Sequence, residues 1–434
     1  MELPAAFLVA FAYTTAIVYY VDSGHLNPLQ LVALGTVLEV SYFVAQLPTG
    51  VVADLVSRRA CVVVGWILEG IGFAEQGFSA GFGNLVAAQA VFGIGAALQA
   101  GAQDAWIADE LDEEAMTPVY VRATQLGLVG TVGGAALSGI VASQRLYLPM
   151  LLGGIGICLV GVVLAFVLPQ NTFRRATQGA EEPERRRGIV GRSWEMFAGQ
   201  IRESRVAVLA VPGFALLLGA TFFAGMWSES FDRLWGDFLI RDIRFPVVFG
   251  LSPTAWFSVV AVVVAVLGLG STEIANRRID RLGHAAVAGT LLVVTVLIGV
   301  GVLVMTSAHG FAPAIAAYLV VQVLRPVAYP LVTGWIVSRV DARVRATALS
   351  ARDMFDSGGQ IIGGPVVGWI GVVGTVRAAL YAGAVALAPA IALLVAATRR
   401  VPALPPEDAG SLGEVGGPGE SGAAAGQARN RSGG

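Results

Sequence analysis

LYLPMLLGGIGICLVGVVLAFVLP, running from Leu146 to Pro169, contains no charged residue. Wound as an α-helix at 1.5 Å per residue it extends about 36 Å. The hydrocarbon core of a bilayer, about 30 Å thick, needs roughly 20 apolar residues. Working outward from this run, eleven more follow the same rule. The twelve are centred near Phe11, Val40, Leu68, Gly95, Gly133, Gly156, Leu218, Val262, Thr295, Leu324, Gln360 and Val385. The whole chain agrees: 434 residues, 56% hydrophobic and only 13% charged, where soluble domains carry about 25% charged residues. Lipid offers the backbone no hydrogen bonds, so spans of this length must be helices. The expectation is an all-α membrane protein with twelve transmembrane helices.

The first run has no basic residue ahead of it and no small-x-small cleavage site before Asp22, so it reads as a retained helix and not a signal peptide. All 28 basic residues are arginine, a usage typical of a GC-rich bacterial gene. Their placement orients the chain. Arg58, Arg59, Arg122, the eight from Arg174 to Arg205, Arg277, Arg278, Arg281, Arg339, Arg343, Arg345 and the four in the tail share one side, against Arg145, Arg241, Arg244 and Arg377 on the other. The positive-inside rule makes both termini cytoplasmic in a bacterial cytoplasmic membrane. A net charge of −2 gives no basic face for nucleic acid. Cys61 and Cys158 lie far apart, and the three histidines sit in connecting loops, so neither a disulfide framework nor a metal or haem cofactor is implied.

Two stretches break the apolar pattern and set the domain organisation. Residues 1–169 and 206–398 form six-helix bundles, and 170–205 is a charged cytoplasmic linker. The linker ends in GRSWEMFAGQIRESR, where Trp194, Phe197 and Ile201 recur at helical spacing opposite Glu195, Arg202 and Glu203. That pattern fits either a helix lying on the membrane surface or a plain solvated tether. Residues 399–434, rich in Pro, Gly and Ser, cannot bury enough apolar surface to order themselves.

The halves echo one another: GHLNPLQ before the second helix and GLSPTAW before the eighth, VYVRAT entering the fifth and ARVRAT entering the eleventh, GVVADLVSRR and NRRIDRLGH after the second and eighth. Three echoes in one order argue for a duplicated, pseudo-symmetric six-helix unit, an arrangement that places a binding site at the midplane.

Gly50, Asp54, Arg58 and Arg59 fit the pattern G-x-x-x-D-x-x-x-R-R, and Asp280, Arg281 and Gly283 fit a weaker second copy. On these residues the chain resembles the major facilitator superfamily, over essentially residues 3 to 398. The resemblance implies that the motif holds the cytoplasmic side shut, with Gly50 permitting close helix approach and Asp54 receiving charge-assisted hydrogen bonds. Within that superfamily the chain looks most like bacterial drug-efflux proton antiporters. Gly127, Gly130, Gly133, Gly134 and Gly139 in helix five resemble their glycine-rich motif, although the Gly-Pro pair is missing there and GGPVVG occurs in helix eleven. Close helix packing in lipid accounts for the same glycines. Helix four, AVFGIGAALQAGAQDAW, lacks the arginine many efflux relatives carry, and Arg325 stands at the pseudo-symmetric position in helix ten.

A charge inside the hydrocarbon region costs about 2.5 to 3.5 kcal/mol on insertion scales, so each one needs a reason. Glu39 lies about ten residues into helix two with no basic neighbour one turn away, which makes it the first proton-carrier candidate. Glu69 follows, with Glu75, in helix three. Tyr13, Tyr19, Tyr20, Gln99, Gln103 and Asp104 are candidate cavity lining, and for the aromatics a packing or interface role fits the same pattern. In WSESFDRLWGD, Glu229, Asp232, Arg233 and Asp237 share one face of helix seven, with Glu229 and Arg233 ordered for an ion pair. Their depth depends on whether the helix begins at Val206, which puts them at the outer mouth, or near Phe214, which brings them to the cavity. In helix eleven Arg352 and Asp356 make a second i, i+4 pair beside Asp353.

The expected protein is a monomeric secondary transporter with protons and a small lipophilic or cationic molecule as partners, most consistent with drug export. A nutrient symporter uses the same fold. A membrane-embedded enzyme or a non-transporting receptor has little support, because no nucleophile-base spacing, metal cluster or nucleotide loop is visible.

Overall fold

The computed structural model describes residues 1–55, 57–110, 113–168, 199, 211, 213–248, 250–279, 284–340 and 345–400. Its long helices are α1 (Glu2–Ser23), α2 (Pro28–Leu55), α3 (Arg58–Phe78), α4 (Phe82–Glu110), α5 (Glu113–Ala142), α6 (Leu148–Val167), α7 (Phe214–Asp242), α8 (Pro253–Ile279), α9 (His284–Ser307), α10 (Phe311–Arg339), α11 (Arg345–Val373) and α12 (Val376–Arg400). Ten are long and apolar enough to cross a membrane. The two that are not have visible reasons. The apolar part of α8 is confined to Pro253–Gly268, and the first turns of α11 carry Arg345, Arg352, Asp353 and Asp356.

Local chemistry sets where these helices begin. Asn27 and Gln30 exchange hydrogen bonds at the start of α2, 3.0 Å from Asn27 N to Gln30 Oε1 and 2.9 Å from Gln30 N to Asn27 Oδ1. Pro28 takes the first helical position, where its missing N–H costs nothing. At the start of α8 Ser252 Oγ accepts from Ala255 N at 3.2 Å, with Pro253 in the matching place. The echo GHLNPLQ/GLSPTAW is thus a repeated N-cap. Helix α1 is interrupted instead. Thr14 Oγ1 donates to Ala10 O at 2.7 Å, and the last turn, Tyr19–Ser23, widens into a π-helix.

Within the compact unit Met1–Val401, each strongly packed helix pair of the first six has a counterpart six helices later. α1 packs on α5 and α6 as α7 does on α11 and α12; α2 on α4 as α8 on α10; and α3 on α4 and α6 as α9 on α10 and α12. The main contacts between the sets, α2 with α11 and α5 with α8, are exchanged by the same operation. Glycines permit the matching close approaches. A Cβ on Gly130 or Gly134 of α5 would lie 2.3 Å from Leu3 O and 2.1 Å from Phe7 O of α1, and one on Gly359 of α11 would lie 1.9 Å from Phe222 O of α7. These helix-five glycines therefore pack backbone on backbone, while Gly139 approaches Ser258 of α8.

Candidate substrate cavity and its charged residues

Between the two sets of helices lies a cavity of about 830 Å³. Glu2, Ala5 and Ala6 line it at the end that carries the N terminus, and Ile17, Tyr20 and Leu31 line it toward the other end. That far end is where the halves meet. Arg241 Nη2 at the end of α7 donates to Leu26 O at 2.8 Å, Gly236 packs on Ile17, and Gly364, Gly368 and Gly371 of α11 pack on Val32, Leu29 and Pro28 of α2.

The described α7 begins at Phe214, and Glu229, Asp232 and Arg233 consequently reach the cavity wall. Arg233 Nε donates to Glu229 Oε1 at 3.0 Å, and its Nη1 donates to Tyr13 Oη of α1 at 2.6 Å. The pair sits in a notch left by missing side chains: a Cβ on Gly35 of α2 would lie 1.8 Å from Glu229 Oε1 and 2.2 Å from Arg233 Nε. One turn along α2 from that notch, Glu39 lines the same cavity. Its carboxyl group has no hydrogen-bond or ion-pair partner among the described residues. The charges acting on it are Glu229, Arg233 and Asp232 of α7 and Asp356 of α11. Local sequence shows no cation beside Glu39, but α7 brings Arg233 into electrostatic range.

Aromatic rings complete the wall. Trp235 and Tyr318 stack at 4.2 Å between centroids, and Phe257 lies 5.4 Å from Trp235, joining α7, α10 and α8. On the opposite side Gln99, Gln103 and Trp66 line the cavity. With its amide assigned by its neighbours, Gln99 donates to Glu69 Oε1 at 2.5 Å and accepts from Trp66 Nε1 at 2.9 Å. Glu69 is thus buried behind Gln99, 5% exposed, and off the cavity surface.

Several expectations need correction. Tyr19 does not line the cavity; its hydroxyl donates to Gln76 O at 3.0 Å inside the first half, because the π-turn carries it toward α3. Tyr20, the next residue, reaches the cavity and donates to Gln76 Oε1. Asp232 lines the cavity with Glu229 and Arg233 but takes its own partner, a two-pronged pair with Arg325 of α10, 2.7 Å from Nη2 to Oδ2. Arg325 and Asp356 line a second, smaller cavity of about 290 Å³ instead of the first. Arg352 pairs with Asp353 at 2.8 Å and not with Asp356, which accepts from Gln360 at 2.9 Å. Asp237 is fully buried at the closed end, held by Arg241. Arg59 donates to Ala165 O near the carboxyl end of α6, where the helix dipole favours a cation. The side chains of Gly50, Asp54 and Asp104, all of Asp280, Arg281 and Gly283, the linker pattern at Trp194 to Glu203 and the tail from 401 lie outside the described residues. Sequence reasoning missed Gly35, Trp227, Tyr318, Gln322 and Gln360. Only Gln322 and Gln360 left a signal, a polar residue one turn from Arg325 and from Asp356.

Among the described residues, twelve long helices in two matching sets around a charged, aromatic-lined cavity define a multi-pass membrane protein. The chain belongs to the Major Facilitator Superfamily, whose family model matches residues 3–355. Among curated relatives it is 20% identical over 228 residues to the MFS-type transporter YxaM of Bacillus subtilis, covering 52% of this chain and 54% of that one. It is 31% identical over 103 residues to the MFS-type transporter MJ1317 of Methanocaldococcus jannaschii, 24% of each chain. The matches thus span about half the length of the first relative and a quarter of the second. Three solved structures share the fold, each with a TM-score of 0.68 and covering 92% of this chain. They are a bacterial homologue of the human lysosomal transporter Spinster, inward-facing and unoccupied (16% identical, 96% of that chain), the nucleoside transporter NupG (13%, 97%) and a POT family transporter in complex with 5-aminolevulinic acid (14%, 96%).

Proposed function

We propose that this chain is a proton-coupled exporter of lipophilic organic cations, working by alternating access. The observation that carries the reading is Glu39, a carboxyl group on the cavity wall with no direct partner among the described residues. Ionised and alone at that depth it is unfavourable by about 2.5 to 3.5 kcal/mol, so it requires either a proton or a cation beside it. One group that accepts either but not both makes occupancy by substrate and by proton mutually exclusive, which is the logic of exchange. Arg233 is committed to Glu229 and Tyr13, and Arg325 to Asp232, so the acidic residues on this cavity outnumber the cations available to them. The rings of Tyr13, Trp66, Trp235 and Tyr318 suit a cation with an apolar body.

The arginine distribution places both termini in the cytoplasm. In that orientation the end where Arg241 meets Leu26 faces outward, with 1–169 and 206–398 as the rocking halves, 170–205 as tether and Asp54, Arg58, Asp280 and Arg281 as the inner gate. The protein acts as a monomer in the cytoplasmic membrane.

The test is uptake of a fluorescent lipophilic cation into everted vesicles containing the protein, with an acid lumen. Accumulation should collapse when a protonophore is added, and matched cations should compete better than organic anions. Accumulation insensitive to the protonophore, or stronger competition by anions, would overturn the reading.

A further inference from the structure

The second cavity, about 290 Å³, lies wholly among helices of the second half, α7, α9, α10, α11 and α12. Asp232 and Gln360 line both cavities, so the chamber adjoins the central one across the Asp232–Arg325 pair. Its volume is near the lower bound of small-molecule sites, about 300 Å³. Most of its wall is apolar, with Leu217, Leu291 and Leu387 among its members. Its charges balance, Arg325 and Arg352 against Asp232 and Asp356.

Two donors on this chamber are left over. Trp227 is 5% exposed, and its Nε1–H has no acceptor among the described residues. Its ring is held in place by Arg325, whose guanidinium carbon lies 5.2 Å from the ring centroid, and by Phe231 at 5.5 Å. Arg352, fixed by Asp353 and by the Tyr329 ring at 4.2 Å, likewise leaves its Nε–H without an acceptor among the described residues. Buried donors are almost always hydrogen-bonded, and because both residues line the chamber, an acceptor held inside it is the partner that fits them. Balanced charge favours a neutral acceptor over an anion.

We propose that this side chamber is a second subsite of the transport site, taking a neutral carbonyl-bearing substituent of the substrate through hydrogen bonds from Trp227 Nε1 while the cationic centre stays with Glu39. The inference rests on the organic-cation reading and narrows it to amines that carry a ketone, ester or amide on an apolar arm. The rigid ring beneath Arg325 fixes the donor, so the carbonyl is read by position and not by charge.

The experiment measures binding of two matched amines to the purified, lipid-reconstituted wild-type protein: an aryl ketone with a tertiary amine, and its analogue with a methylene in place of the carbonyl. The ketone should bind about three- to tenfold more tightly, the scale of one hydrogen bond. In Trp227→Phe, which keeps an aromatic ring under Arg325 and removes the N–H, that preference should vanish. Equal binding of both amines to wild type overturns the chamber assignment and leaves the cation reading standing, as does a preference that survives in Trp227→Phe. Failure of both amines to bind wild type overturns the cation reading and the chamber with it. Trp227→Tyr, which restores a donor at a shifted position, guards against a folding artefact: properly inserted protein with a partly recovered preference supports the assignment, and equal loss for both amines opposes it.

Discussion

Gly35 and Glu229, on α2 and α7, occupy what is nearly one position: a Cβ on Gly35 would come within 1.8 Å of the Glu229 carboxylate. The absent side chain of one half is the seat for the ion pair of the other. That relationship places the Glu229–Arg233 pair between the halves and one turn from Glu39.

Gly35→Ala should therefore spoil transport more than folding. The atoms a new Cβ meets are the ends of Glu229 and Arg233, which can swing away, and not backbone. We expect normal insertion and at least a tenfold loss of transport rate, with weaker substrate binding. Wild-type rates from a well-inserted Gly35→Ala protein would show that the pair has no role in the cycle.

Glu39→Gln mimics the protonated carboxyl group. Gradient-driven accumulation should be abolished and the pH dependence of transport flattened, while substrate binding persists with reduced affinity for cations. The measurement is vesicle accumulation with and without a pH gradient, beside equilibrium binding. Full gradient-driven accumulation in this variant would remove Glu39 from coupling and move the role to Asp232, Asp356 or Glu69.

Arg325→Lys is not a conservative change here. The guanidinium meets Asp232 with two nitrogens and lies over Trp227 at 5.2 Å, and an ammonium group reproduces neither the fork nor the stacking. A tenfold or larger fall in transport is expected from Arg325→Lys, close to that of Arg325→Ala. Near-normal transport by the lysine variant would show that only charge matters at this position.

Arg241 fastens the closed end by donating to Leu26 O, a carbonyl of the other half, at 2.8 Å. A hydrogen bond from a charged donor is worth about 1.5 to 3 kcal/mol, enough to change the ratio of the two conformers about tenfold or more. Arg241→Ala should shift the population toward opening at this end. Spin labels at Gln144 and Val247, with Cys61 and Cys158 replaced, would report longer distances in the variant. An unchanged distance distribution would mean that Arg241 contributes only to the local Asp237 pair.

Glu39 and Arg233 show where sequence reading stops. Glu39 was legible because an acidic residue ten positions into an apolar run violates the rule that governs its surroundings. The setting of Arg233 was not, because its acceptor Tyr13 is 220 residues away and Gly35 signals by lacking a side chain. The same holds for Arg325 and Asp232, 93 residues apart, and for the exchange of Arg352 from Asp356 to Asp353. Periodicity places residues on a face but does not choose between two acidic neighbours.

The sequence by itself determined that the chain lives in lipid, how many times it crosses, that its halves are copies and which charges are anomalous. A bilayer imposes those properties on each helix separately, through span length, internal hydrogen bonding and the cost of buried charge. The tertiary structure alone decided which of those charges share a cavity, that Tyr19 faces away from it, and that a chamber with two unanswered donors opens beside it. Those outcomes depend on the rotation and close approach of helices from both halves, which glycine contacts and long-range pairs set and no single span encodes.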